Sequence, residues 1–308
     1  MVFKEEVSNT DMKILLLDID SKIPNLALKK VEKYHLDRGD EVIWNNKLWY
    51  GQVDKTYLSV IFTWNKYKAE QFNKAEKGGT GWDIKKKLPE EIENIKVYIN
   101  WGFTSRGCIR KCAFCFVPEK EGTIHSVGDI YDIWDGKSKT ITLMDNNILA
   151  LKQHFKKICS QIRKEKLKVD FNQGLDIRLL DEELLQELKT LSHFEYKFAW
   201  DNEEDLEGKF RWIKEKLGRC TIFVICGFPK DNFEEVVNKF HLLRKIGHNG
   251  YAMRHENFYK DKRYIKLARW VNQHHIFHPF TFKEFIERDK QYHNDFIKIN
   301  EVANDIQL

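Results

Sequence analysis

A chain of 308 residues is long enough for one large domain or two unequal ones, and 42% hydrophobic with 13% aromatic residues is a globular composition that excludes a disordered chain. The 52 basic and 47 acidic residues leave a formal charge of +5, a mixture that permits a nucleic-acid partner without arguing for one. No apolar run approaches the ~20 residues needed to span a bilayer, and the acidic start "MVFKEEVSNTDMKILLL" is not a signal peptide, so no membrane contact and a cytoplasmic, reducing location are expected.

In chain order, "KILLLDID" from Lys13 reads as a buried strand, and the apolar spacing of Leu26, Leu28, Val31 and Tyr34 predicts a helix ending at Gly39. "EVIW" and "TYLSVIFTW" (Thr56 to Trp64) read as two further strands, and "KGGTGWDIKKKLPEE" (Lys77 to Glu91) as a Gly-rich loop leading out of the unit. Strand, helix and strand joined by short turns indicate a small parallel, Rossmann-like α/β domain over residues 1–94.

From Val97 the alternation restarts. Strands are expected at Val97–Phe103, Thr140–Asp145, Lys168–Asn172, Phe194–Trp200, Cys220–Phe228 and Gly250–Arg254. Helices are expected from Ile148 to about Lys166, then at Asp181–Thr190, Glu204–Leu217, Asn232–Ile246 and Lys260–Asn272. Six such units predict a partial (β/α)6 barrel of TIM type over residues 95–280, whose chemistry belongs at the C-terminal ends of its strands. "HHIFHP" (His274 to Pro279) reads as a polar loop, and residues 281–308 as a polar helical tail.

The connection after the first barrel strand is irregular and holds "RGCIRKCAFCFVPE", with Cys108, Cys112 and Cys115 spaced C-x3-C-x2-C. Three thiolates on one loop suit zinc or an iron–sulfur cluster. A structural zinc site is normally closed by a fourth ligand, and the next candidate, His125, is ten residues beyond Cys115. Three cysteines hold three irons of a [4Fe–4S] cube and leave the fourth open. Cys159, Cys220 and Cys226 are scattered and read as packing residues, so no second cluster is expected.

"CIRKCAFC", with Phe114 as its aromatic, following a strand and preceding five more strand–helix units, resembles the signature of the radical S-adenosylmethionine (SAM) superfamily. The resemblance covers about Val97 to Asn272. It implies an enzyme in which SAM chelates the open iron and is reductively cleaved to a 5′-deoxyadenosyl radical that abstracts hydrogen from a substrate. It also implies an electron donor such as flavodoxin or ferredoxin. Carried over residue by residue, it places Asp145, Asn146 and Asn147 of "LMDNN" near the SAM amino group or ribose. The family's Gly-Gly-Glu is absent there, and Asn147 would serve equally as a helix N-cap.

"FNQGLDIR" resembles the polar turn of the methylthiotransferase-like and cobalamin-dependent branches, and makes Asn172, Gln173, Asp176 and Arg178 candidates for SAM or substrate, with Arg178 able to fork onto a carboxylate. Trp200 and Asp201 end the fourth strand, Gly227 and Pro229 match an apolar-Gly-x-Pro turn flanking the adenine, and Arg254 and His255 end the sixth strand. The N-terminal domain resembles the cobalamin-binding domain of one branch but lacks its Asp-x-His-x-x-Gly motif: "SKIPN" follows "LLLDID", and His35 is in mid-helix. Cobalamin is therefore not expected. The substrate, small molecule, peptide or RNA, is not legible, and no catalytic side chain is assigned. The rival reading is a non-enzymatic, zinc-binding nucleic-acid module.

Overall fold

The structure is a computed structural model that describes residues 11–201, 205–228 and 232–290. Pro229 and the part of the expected tail beyond residue 290 lie outside the described residues. The chain divides into two compact units, residues 1–144 and 145–308, so the boundary expected near Asn94 falls inside the first. Among the described residues no helix is long and apolar enough to cross a membrane.

The first unit opens with β1 (Lys13–Asp18), α1 (Leu26–Leu36), β2 (Glu41–Trp44), β3 (Lys55–Ser59), α2 (Lys66–Glu70), β4 (Glu76–Gly78) and α3 (Glu90–Glu93). These strands form one parallel sheet in the order β2-β1-β3-β4, with Leu15 opposite both Ile43 and Thr56 and Leu58 opposite Lys77. The apolar run of β1 is explained by burial on both faces. Ile14 and Leu16 pack with Leu28, Val31, Tyr57 and Ile92 on one side, and Leu15 and Leu17 with Leu58, Val60, Ala69 and Phe72 on the other. Asn25 caps α1 by accepting from the Leu28 N–H, as a helix start requires.

Two expectations are corrected here. The third strand stops at Ser59 rather than continuing to Trp64, and the Gly-rich stretch contains a fourth strand, β4. The chain leaves β3 because Asp20 draws the following residues into a turn, accepting from the N–H groups of Ile61 (2.8 Å) and Phe62 (3.0 Å).

The first unit continues with β5 (Trp101–Gly102), β6 (Ser105–Arg106), α4 (Val117–Glu121), β7 (His125–Ser126) and β8 (Thr140–Leu143). β5 and β8 are parallel neighbours, Gly102 opposite Leu143. The strand expected at Val97–Phe103 shrinks to two residues because Asn100 takes a left-handed conformation (φ 63°) just before it.

The second unit contains α5 (Lys152–Lys164), β9 (Lys168–Phe171), α6 (Glu182–Lys189), β10 (Ser192–His193), β11 (Lys197–Ala199), α7 (Glu207–Leu217), β12 (Thr221–Cys226), α8 (Phe233–Ile246), β13 (Asn249–Arg254), α9 (Lys262–Val271) and α10 (His274–Phe277). Every strand pairing within it is parallel: β9 with β10, and β11-β12-β13 in order. A parallel bridge from Leu175 to Phe198 links the turn after β9 to β11. Each helix buries one face, Phe155, Ile158, Cys159 and Ile162 on α5 and Tyr264, Leu267, Trp270 and Val271 on α9. The "HHIF" segment is a helical turn rather than a loop. Phe277 is buried there, and the turn ends before Pro279.

Candidate cofactor site

The cysteine loop is tied at its base. β6 and β7 form an antiparallel pair in which Arg106 faces His125, and the Cys108 N–H donates to the Gly122 carbonyl at 3.2 Å, so the loop leaves and returns at one point. Gly107 has φ 82°, and a Cβ there would lie 2.5 Å from the Thr123 carbonyl oxygen, so only glycine permits this crossing. Arg106 grips Glu121 with its guanidinium at 2.9 and 3.0 Å and lies over the Phe103 ring at 4.1 Å. This two-oxygen ion pair was not singled out from the sequence. Its signal was there in the opposite charges that bracket the three cysteines.

Within the loop, the Cys115 N–H donates to the Cys112 carbonyl at 2.9 Å, and the Arg110 N–H points at Cys108 Sγ at 3.3 Å. Ile109 and Phe116 stand about half exposed beside the thiols. Among the described residues no three His, Cys, Asp or Glu side chains are gathered around a single-ion position.

The six free cysteines fall into two groups. Cys108, Cys112 and Cys115 are partly exposed, while Cys159, Cys220 and Cys226 are buried. Burial pushes the Cys159 thiol well above its ordinary value and Cys220 up to about 12. Counting thiols with a chromogenic disulfide on metal-free protein should therefore give three fast groups and three that react only on unfolding. A fourth fast thiol would contradict this division.

In the second unit, Asp145 and Asn147 are buried and Asn146 is partly so. Asn147 occupies an N-cap position without making the capping hydrogen bond, and its amide instead donates to Asp176 Oδ2 at 3.4 Å. The Arg178 fork is filled by Asp176, with Nε to Oδ1 at 2.7 Å and Nη2 to Oδ2 at 3.2 Å. The structure thus brings Asn147, Asp176 and Arg178 together, whereas Gln173 sits exposed at the turn after β9. Asp181 is the N-cap of α6. Gly227 has φ 80°, and a Cβ would fall 2.7 Å from Cβ of Phe258, so the loop after β13 packs against it. Arg254 donates to the Tyr259 carbonyl at 2.8 Å, and His255 meets Phe228 edge-on.

Asp201 accepts from the Ile225 N–H at 3.0 Å. Burial raises its pKa; that hydrogen bond and the charges of Arg178 and Lys239 pull the other way, and the Asp176 carboxylate pushes it up further. A group whose folded pKa is raised in this way costs stability once pH passes its ordinary value. Asp201→Asn should therefore raise stability at neutral pH by roughly 0.5–2 kcal/mol, with the gain fading as pH falls to the range where the aspartate is protonated in both states. Urea melts at pH 7.5 and 4 check this, and a gain equal at both would refute it.

No family model matches the sequence, and no curated protein matches it. Solved structures do resemble it. The radical S-adenosylmethionine methyltransferase TsrM from Kitasatospora setae, solved with cobalamin and a [4Fe–4S] cluster bound, has a TM-score of 0.59 at 11% identity, covering 79% of this chain and 75% of its own. The same enzyme solved with its tryptophan substrate and the SAM analogue aza-SAM gives a TM-score of 0.59 at 11% identity, covering 79% and 73%. At this identity the likeness is one of fold: the chain has a mixed α/β architecture shared with a radical SAM methyltransferase.

Proposed function

We propose that the protein is a radical SAM enzyme with a partial (β/α)6 barrel, in which Cys108, Cys112 and Cys115 hold a [4Fe–4S] cluster whose open iron takes SAM. The observation that carries this reading is the cysteine loop. Three partly exposed thiols sit on one loop between β6 and β7, clamped by Gly107, by the Arg106–Glu121 pair and by the Cys108–Gly122 hydrogen bond. A fold shared with a radical SAM methyltransferase supports it. When bound and reduced, the cluster and SAM supply an electron and a carbon radical able to abstract hydrogen.

The chain's own part is to bind, orient and exclude water. The three thiolates ligate, with Phe114, Ile109 and Phe116 as apolar neighbours on the same loop. The second unit carries acceptors suited to an ammonium and ribose hydroxyls in Asp145, Asn146, Asn147 and Gln173, with Arg178 held rigid by Asp176. Gly227, buried with Phe258 packed over its Cα, is the position that the resemblance sets beside the adenine. An electron donor of flavodoxin or ferredoxin type completes the reaction.

Cobalamin stays outside the proposal. His35 is the one histidine in residues 1–94, and it is buried between Asp40 and Tyr57. One of the similar structures holds cobalamin, so reconstitution is run with and without it. The test is anaerobic: iron and sulfide are added, the protein is reduced, SAM is supplied and 5′-deoxyadenosine is measured. Formation of deoxyadenosine is expected. Stoichiometric zinc with no SAM cleavage would favour the rival zinc module.

A further inference from the structure

We infer that the surface formed by residues 60–87 of the first unit binds single-stranded nucleic acid. The chain is nearly balanced in charge, yet residues 61–87 hold seven lysines and no arginine against three acidic residues. That local surplus of four nearly equals the surplus of five for the whole chain. Lys66, Lys68, Lys74, Lys77 and Lys87 lie within ion-pair distance of no carboxylate among the described residues. Lys66 and Lys77 stand instead over the Trp82 ring at 4.9 and 4.6 Å.

Aromatic rings are interleaved with these charges and left in water. Phe62 and Trp64 stack on each other, centroids 4.7 Å apart and planes within 16°. They remain 38% and 51% exposed, and Tyr67 is 64% exposed with Lys68 beside it. Leaving such area in water costs free energy that burial would recover, so a grouped exposed cluster marks an interaction surface.

The platform is rigid. Asp20 accepts from the N–H groups of Ile61 and Phe62 and from Asn65 Nδ2 (3.1 Å), and the Gly81 N–H donates to the Val60 carbonyl at 2.9 Å. A Cβ at Gly81 would fall 2.5 Å from the Phe62 carbonyl carbon, so the loops after β3 and β4 touch backbone to backbone.

Flat rings held in a fixed stack among unpaired ammonium groups match a polymer of flat bases and phosphates. Bases stack on the rings without regard to sequence, and phosphates take the lysines. The same loops reach the cysteine segment. Lys120 donates to Thr80 Oγ1 at 2.5 Å, and Lys85 pairs with Glu119 at 3.8 Å. A strand lying on the platform therefore runs beside the helix that follows Cys115. Its role as a substrate at that loop rests on the function proposed above, whereas the binding itself does not.

The experiment is fluorescence anisotropy with the full chain, free of iron and SAM, so that it reads independently of SAM cleavage. The probes are a labelled 15-nucleotide RNA, the matching DNA and its duplex. Single strands should bind more tightly than the duplex, with log K falling linearly with log salt. Phe62→Ala with Trp64→Ala should weaken binding at least about 5-fold. Lys66→Glu, Lys68→Glu and Lys77→Glu together should flatten the salt slope. Preference for RNA over DNA would show that the ribose hydroxyl is read, and equal affinity that only bases and phosphates are; both support the surface. Single-strand affinity weaker than about 100 µM at physiological salt, duplex binding as tight as single-strand binding, or indifference to both sets of variants would overturn it. Preferential capture by anionic lipid vesicles would overturn it as well. Phe62, Trp64, Lys66 and Lys68 are exposed and Lys77 is partly buried in β4, and unchanged melting curves check that the variants fold.

Discussion

Cys108→Ala, Cys112→Ala and Cys115→Ala should each lower 5′-deoxyadenosine formation more than about 100-fold, since loss of even an indirect partner of a metal ligand costs 10–100-fold. Each should also strip the protein of its cluster absorption and most of its iron. Stability should hardly move. The three side chains are partly exposed on a loop, so truncation opens no cavity. The loop's base is held by contacts that none of the three thiols makes, the Arg106–Glu121 pair and the backbone bond from Cys108 N–H. Cys159→Ala is the opposite control. Its side chain is fully buried on the inward face of α5, so the variant should lose stability, on the order of 1 kcal/mol, and keep iron and activity. Retention of SAM cleavage by any one of the three loop variants would remove that residue from the ligand set. Loss of iron in the Cys159 variant would show that cluster binding tracks folding rather than these thiols.

The cysteine loop was legible because its ligands are close neighbours in sequence, so spacing alone brings them together. Helices with one apolar face, such as α5, α6 and α8, were legible for a similar reason. What escaped was set by partners distant in sequence or by single backbone conformations. β4 is "EKG", two charged residues and a glycine at a sheet edge, and only its pairing with Tyr57 to Ser59 makes it a strand. Val97–Phe103 has the composition of a strand but is interrupted by the left-handed Asn100. Arg178 was read as ready for a ligand carboxylate, and its fork is instead filled by Asp176 two residues earlier across a turn. The aromatic platform was divided between an over-long strand and a loop, because the sequence does not reveal that Asp20 turns the chain after Ser59.

His35 shows the same limit and leads to the largest expected effect on stability. Expected in mid-helix, it lies in the last turn of α1, and its partners are not visible in the sequence. In the fold it is buried, with Nδ1 2.6 Å from Asp40 Oδ2 and Nε2 3.1 Å from the Tyr57 hydroxyl, while Asp40 Oδ1 accepts from the Met12 N–H at 3.1 Å. Asp40 thereby joins the end of α1, the start of β1 and, through His35, β3. Asp40→Ala should cost about 2–6 kcal/mol, because it leaves two buried groups, the imidazole and the Met12 N–H, without their acceptor at about 1–3 kcal/mol each. Tyr57→Phe, which removes one hydroxyl from the same chain of bonds, should cost only about 0.5–1.5 kcal/mol.

The pH dependence separates this pair from mere packing. Burial acts to raise the Asp40 pKa, but the hydrogen bonds from His35 and Met12 outweigh it and hold the carboxyl below its ordinary value. The unfolded chain then takes up this proton at a higher pH than the folded one. The contribution of Asp40 is therefore complete above the ordinary carboxylate range and is lost as pH falls through the lowered folded value. In urea melts, the gap between wild type and Asp40→Asn should be widest near neutral pH and narrow steadily below about pH 4. A gap that stays constant into acid would mean that the carboxylate charge contributes nothing and that the site is held by shape alone.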